Sequence, residues 1–162
     1  MTNILTEAPA RQAMTPGCNV NIKKILVAVD LSPQSEKTVA FAVSLAKPLG
    51  AYISLVHVCS SEESAEVTDK QDKRFDEPMF ASQEKLEDLA REVRRSYPNC
   101  SAHLCVGDAA DKVAHMADIL RVDLILVGRH HPNLLGRLLG LDQTERIRHR
   151  APCPVLVCHD AN

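Results

Sequence analysis

Five short aliphatic runs, at residues 25–29, 52–58, 100–106, 124–127 and 155–158, alternate along the chain with stretches of helical spacing. A run such as Ile25-Leu26-Val27-Ala28-Val29 has no polar side to turn to water, so it reads as a strand covered on both faces. Strands of that kind separated by helices imply crossover connections and a parallel sheet with helices on each side. The expected fold class is therefore α/β, a single three-layer sandwich around a five-stranded parallel sheet.

The connecting stretches carry their own start and stop signals. Ser32-Pro33 offers an N-cap followed by proline at the first helical position, ahead of Val39, Ala42, Val43 and Ala46; Gly50 supplies the stop. Pro78 opens a second helix whose apolar stripe is Leu86, Leu89, Ala90 and Val93, and Pro98-Asn99 ends it. Residues 100–106 alternate imperfectly, as a half-buried edge strand would. Asp108, with Asp111 three residues on, reads as the N-cap and acidic first turn of a helix bearing Val113, Ala114, Ala117 and Leu120. Residues 59–77 are acidic and polar and read as a solvated connection, while residues 1–21 lack either periodicity and are expected to form a mobile tail before a domain at 22–160.

Composition narrows function mainly by exclusion. A formal net charge of −2 gives no basic surface for nucleic acid. No run approaches the roughly 18 apolar residues that span a bilayer, and the first twenty residues hold no secretory core, so a cytoplasmic location without membrane contact is expected. The six cysteines form no CxxC pair and read as reduced thiols packed as small apolar groups. His57 reads as a half-buried strand histidine with a satisfied ring. No G-x-S-x-G elbow, spaced Ser-His-Asp set or H-E-x-x-H pattern occurs, so no catalytic or metal-ligating residues are assigned.

Two features at the carboxyl ends of strands bear on ligands. Asp30 follows the first strand, where a polar side chain either lines a crevice or closes the turn. After the fourth strand, Gly128 opens a basic, turn-rich loop with Arg129, His130, His131, Gly136, Arg137 and Gly140, which reads either as an anion-binding cluster or as loop packing. Asp142 with Glu145 can cap the last helix, its carboxylate taking the N–H groups that a phosphate would use. At about 4 Å, two like charges repel by roughly 4 kcal/mol near a protein surface. That exceeds the ~1 kcal/mol such a cap contributes.

Residues from about 23 to 159 resemble the universal stress protein family. The resemblance rests on Ile25-Leu26-Val27-Ala28-Val29-Asp30-Leu31-Ser32-Pro33, on Gly107-Asp108, on Thr144-Glu145-Arg146-Ile147, and on Ala151-Pro152-Cys153-Pro154-Val155-Leu156-Val157, in order and at family spacing. It implies strand order 3-2-1-4-5, an adenine nucleotide alpha hydrolase-like fold, and a homodimer paired through the fifth strand. The nucleotide-binding branch carries G-x2-G-x9-G-[ST] after the fourth strand. Here the four positions hold Gly128, His131, Leu141 and Asp142, so three depart. Histidines after a strand-ending glycine are instead similar to the branch that does not bind nucleotide. The resemblance thus implies a non-catalytic, homodimeric stress-response protein without a cofactor. If ATP binds, the family pattern places Asp30 and Val58 near adenosine, and Gly107, Gly128, Arg129, Gly136 and Gly140 near the phosphates.

Overall fold

The computed structural model describes residues 21–59, 77–128 and 143–158. In chain order these form β1 (Lys24–Ala28), α1 (Pro33–Leu49), β2 (Tyr52–Cys59), α2 (Glu77–Ser96), β3 (Cys100–Val106), α3 (Ala109–Leu120), β4 (Leu124–Gly128), α4 (Gln143–Arg150) and β5 (Val155–Cys158). All strand pairs are parallel and the order is β3-β2-β1-β4-β5, as the resemblance implied.

Two cores flank the sheet, and alternate residues of each strand feed them in turn. Ile25, Val27, Ile53, Leu55 and Leu126 face α1 and α2, meeting Val39, Ala42, Ala46, Leu86 and Ala90. Leu26, Val56, Ile125 and Val127 face the other way, onto Val113 and Ala117 of α3 and Ile147 of α4. The helical stripes read from the sequence are those that are buried, with Val43, Leu89, Ala114 and Leu120 half-buried at their margins. Few aromatic residues are available, so the interior is filled almost entirely by aliphatic side chains.

Helix ends follow local chemistry. Gly50 stands at φ 61 and its N–H reaches the Lys47 carbonyl, closing α1 in a left-handed cap. Arg121 does the same for α3 at φ 51. At the amino edge of the sheet, Asp123 Oδ2 accepts the Lys23 and Lys24 N–H groups at 2.8 and 2.9 Å. Lys24 Nζ meets the Leu120 carbonyl at 3.0 Å, so one short segment ties β1 to the end of α3.

The five described cysteines pack as expected, Cys59 and Cys100 buried and Cys105, Cys153 and Cys158 half-buried, all of them unbridged; Cys18 lies outside the described residues. Burial pushes the Cys100 thiol up to about 11, which keeps it protonated at neutral pH. Edge strand β3 is half-buried along most of its length. No helix among the described residues is long and apolar enough to cross a membrane.

Candidate functional site

Successive connections run outward from β1 to β2 and β3, then return to β4 on its other side, so the order of the sheet reverses between β1 and β4. In an open parallel sheet the crevice at such a reversal, outside the carboxyl ends of the strands, is the usual place for a ligand. Asp30, two residues past the end of β1, and Gly128, the last residue of the adjacent β4, stand there. Val58 lies one strand further, half-buried against the α3 side. Gly107 follows edge strand β3, three strand spacings from β4, or roughly 14 Å at about 4.8 Å each. Arg129, Gly136, Gly140 and the Asp142 cap lie outside the described residues.

Asp30 closes the turn into α1. Its Oδ1 accepts the Ser32 N–H at 3.0 Å, the Ser32 hydroxyl at 2.6 Å and the Ser35 hydroxyl. The Ser35 oxygen in turn accepts the Asp30 N–H at 3.1 Å. Ser32 occupies the N-cap position, as the sequence suggested, but its side chain caps nothing in the helix. The hydroxyl instead donates to the Asp30 carboxylate, a charged acceptor only two residues away. Leu31, between them, is held at φ 59, a conformation that costs a leucine about 1–2 kcal/mol. Strain of this size persists only where surrounding contacts over-determine it, as Asp30, Ser32 and Ser35 do here.

Gly128 has a packing role. A Cβ at that position would stand 2.7 Å from Thr38 Oγ1, so buried Thr38 of α1 lies directly on the β4 backbone. Gly107 adopts φ 135, and a Cβ there would meet Lys112 Cε at 2.9 Å. Both glycines are required by the protein's own geometry.

At the β3–α3 junction Asp108 behaves as the sequence predicts and does more. Its Oδ1 caps α3 by accepting the Asp111 N–H at 3.1 Å. Its Oδ2 meets the Arg146 guanidinium of α4 at 2.8 Å, and Arg150, one helical turn on, reaches Asp111 at 2.6 Å and Asp108 at 3.5 Å. Burial alone would push the Asp108 carboxyl up, but the Asp111 N–H and the two arginines outweigh it and hold it below the ordinary range. The start of α3, which would attract an anion, is already filled by the protein's own carboxylate.

Ser35, Thr38, Arg146 and Arg150 escaped the sequence reading as members of these junctions. Ser35 and Thr38 had a signal: they lie on the same stripe of α1 as Ala42 and Ala46, so helical spacing buries them. The i, i+4 spacing of Arg146 and Arg150 showed one face of a helix but not what it faced. His57 is satisfied as expected, its Nδ1 lying 2.8 Å from the Val29 carbonyl. Among the described residues, no group of three or more His, Cys, Asp or Glu is placed to hold a metal.

A doubly wound sheet with aspartate-closed helix starts along its carboxyl edge defines the class: an α/β domain of the kind that places small-molecule sites at a topological reversal. The model of the Universal stress protein family matches residues 21–159, and the chain belongs to that family. It is 30% identical over 141 residues to Universal stress protein A homolog 1 of Coxiella burnetii, covering 85% of this chain and 96% of that one. The structure of universal stress protein UspA from Lactobacillus plantarum superposes with TM-score 0.71 at 26% identity, covering 86% of this chain and 99% of that one. A universal stress protein from Archaeoglobus fulgidus, solved in complex with dAMP, matches with TM-score 0.61 at 21% identity, covering 85% and 98%.

Proposed function

We propose that this chain is a non-catalytic, homodimeric member of the universal stress protein family whose carboxyl-edge junctions are closed by its own side chains and do not hold a nucleotide. The observation that carries the reading is the Asp108 cluster. A nucleotide phosphate directed to the start of α3 would have to displace a carboxylate already held by the Asp111 N–H and by Arg146. The second junction argues alike, since Asp30 takes the Ser32 and Ser35 donors that line the opening of α1. Three departures from the family's glycine motif, His131, Leu141 and Asp142, point the same way.

Dimer formation through β5 has its own support. This edge strand spans four residues, and Leu156, on the α1 side of it, is 40% exposed. An open apolar edge needs a partner strand or a cover. On the opposite edge, Arg94 Nε donates to the Cys100 carbonyl of β3 at 2.9 Å and blunts that strand at its start. The β5 edge is therefore the one suited to pairing with a second copy.

The Archaeoglobus fulgidus relative solved with dAMP favours one competing reading, an ATP-binding regulatory module with slow or no hydrolysis. Calorimetry with ATP and magnesium at millimolar concentration separates the two. No binding heat and no copurified nucleotide are expected; a bound adenine nucleotide on acid extraction would overturn the first reading. Light scattering should give a mass near twice 17.8 kDa at micromolar concentration, and a monomer would refute pairing.

A further inference from the structure

We propose that Ser101 of β3 is a nucleophile, with His103 as its base, that takes an acyl group from an activated ester. The two side chains share one face of the strand, and Ser101 Oγ lies 2.9 Å from His103 Nε2. This is the contact, and the ring nitrogen, through which a histidine relieves a serine of its proton. Ser101 stands level with Leu26 and Ser54, and His103 with Val56, so both point to the α3 side of the sheet. There β3 is the outer strand and both residues are half-buried, so the pair is sheltered yet reachable.

Ser54 decides which way the Ser101 proton points. Its side chain is buried, and its one described hydrogen-bond partner is Ser101 Oγ, at 3.4 Å. Were Ser101 to donate to Ser54, the Ser54 proton would be buried without an acceptor, which is costly. The Ser54 hydroxyl therefore donates to Ser101, and Ser101 donates to His103 Nε2. That nitrogen must then be bare, with the ring proton on Nδ1. Burial disfavours the imidazolium and lowers the His103 titration, so the ring is a neutral base at neutral pH.

In the reaction the Ser101 oxygen bonds to the ester carbonyl carbon, its proton passes to His103 Nε2, and the bond from that carbon to the leaving oxygen breaks. The imidazolium then returns the proton to the departing oxygen. Among the described residues no carboxylate bonds His103 to hold the imidazolium, so only a good leaving group such as a phenolate departs. The serine ester that results has no such leaving group, and the acyl group stays. The chain is modified once and is not turned over.

Treatment of the full chain with p-nitrophenyl acetate, followed by peptide mapping in the mass spectrometer, tests the proposal. Acetylation of Ser101 is expected to be about a hundredfold faster than that of Ser44, an exposed serine whose hydroxyl donates to the Phe41 carbonyl. His103→Gln should bring Ser101 down to the Ser44 rate, and circular dichroism shows that the variant is folded. A second measurement needs neither reagent nor variant: the nitrogen-15 spectrum of the histidine-labelled chain should show His103 protonated at Nδ1 and bare at Nε2. Acetylation of Ser101 no faster than that of Ser44 would overturn the proposal. So would a rate indifferent to His103→Gln, or a neutral ring with its proton on Nε2.

Discussion

The β1–α1 and β3–α3 junctions solve one problem with opposite partners. Each leaves a strand on an aspartate that closes the start of the next helix. Asp30 does so with hydroxyls two and five residues away, inside a turn that holds Leu31 in a left-handed conformation. Asp108 also takes a backbone N–H three residues on, but its charge is answered by Arg146 and Arg150, some forty residues further along the chain. The contacts described at the first junction are local, to hydroxyls and a backbone N–H; the second joins α4 to α3. A carboxylate at a strand's end can therefore shape its own loop, as Asp30 does with its serines, and can also tie in a distant element, as Asp108 does with α4. In both cases the aspartate engages a donor at the helix start that a phosphate could use, the Ser32 N–H at one and the Asp111 N–H at the other.

The largest expected effect comes from breaking the local junction. Asp30→Ala removes the acceptor for three donors, strands the buried Ser35 hydroxyl, and leaves the strained Leu31 without its support. A loss of about 2 kcal/mol is expected. For a domain of this size that lowers Tm by roughly 4–8 °C in calorimetry. The serine hydroxyls and N–H are uncharged donors, so their share of the loss should be the same at low and high salt. A strongly salt-dependent loss would show that Asp30 works as Asp108 does.

Asp108→Ala should cost less, about 1–1.5 kcal/mol. Roughly 1 kcal/mol of that is the lost cap. The remainder is small because the Asp108 side chain is 34% exposed and water screens its arginines. Here salt should matter: raising ionic strength to 1 M shrinks the gap between variant and unaltered chain toward the cap contribution alone. Ser32→Ala ranks third, at about 0.5 kcal/mol, below the usual loss of an N-cap serine, because this serine caps nothing in its helix. A full cap loss in urea unfolding would mean that the Ser32 hydroxyl serves α1 after all.

How far the sequence discloses this arrangement depends on the range of each interaction. The strands, the helical stripes and the Asp108 cap are written in neighbouring residues, and all of them occur where the spacing predicts. Asp30 was ambiguous because closing a turn and lining a crevice ask for the same residue at the same place; only the Ser35 hydroxyl, delivered by the first turn of α1, decides what it contacts. Thr38 against Gly128 was illegible for another reason. The glycine matched a motif position, and its actual requirement, close approach of α1 to β4, arises from packing across the sheet. Arg146 and Arg150 needed the strand order itself before a partner could be assigned.

The smallest effect discriminates the junctions most directly, by acid. The Asp108 carboxyl titrates lower in the folded chain than in the unfolded one, so over that interval the unfolded state binds more protons and stability falls as pH falls. The loss should begin as pH drops through the ordinary carboxylate range, near ~4, and be complete below the depressed native value. Given the exposure of the side chain, its size should be well under about 1 kcal/mol. Asp108→Asn keeps an acceptor for the cap but has no proton to gain, so its stability curve below pH 4 should be shallower than that of the unaltered chain by this amount. Arg146→Gln should flatten the same limb by raising the native titration toward the unfolded one. If neither variant changes the acid limb while Asp108→Ala still destabilises, the arginines contribute nothing beyond proximity. The two junctions would then differ only in sequence range, with α4 held to α3 by the packing of Ile147 against the α3 side of the core.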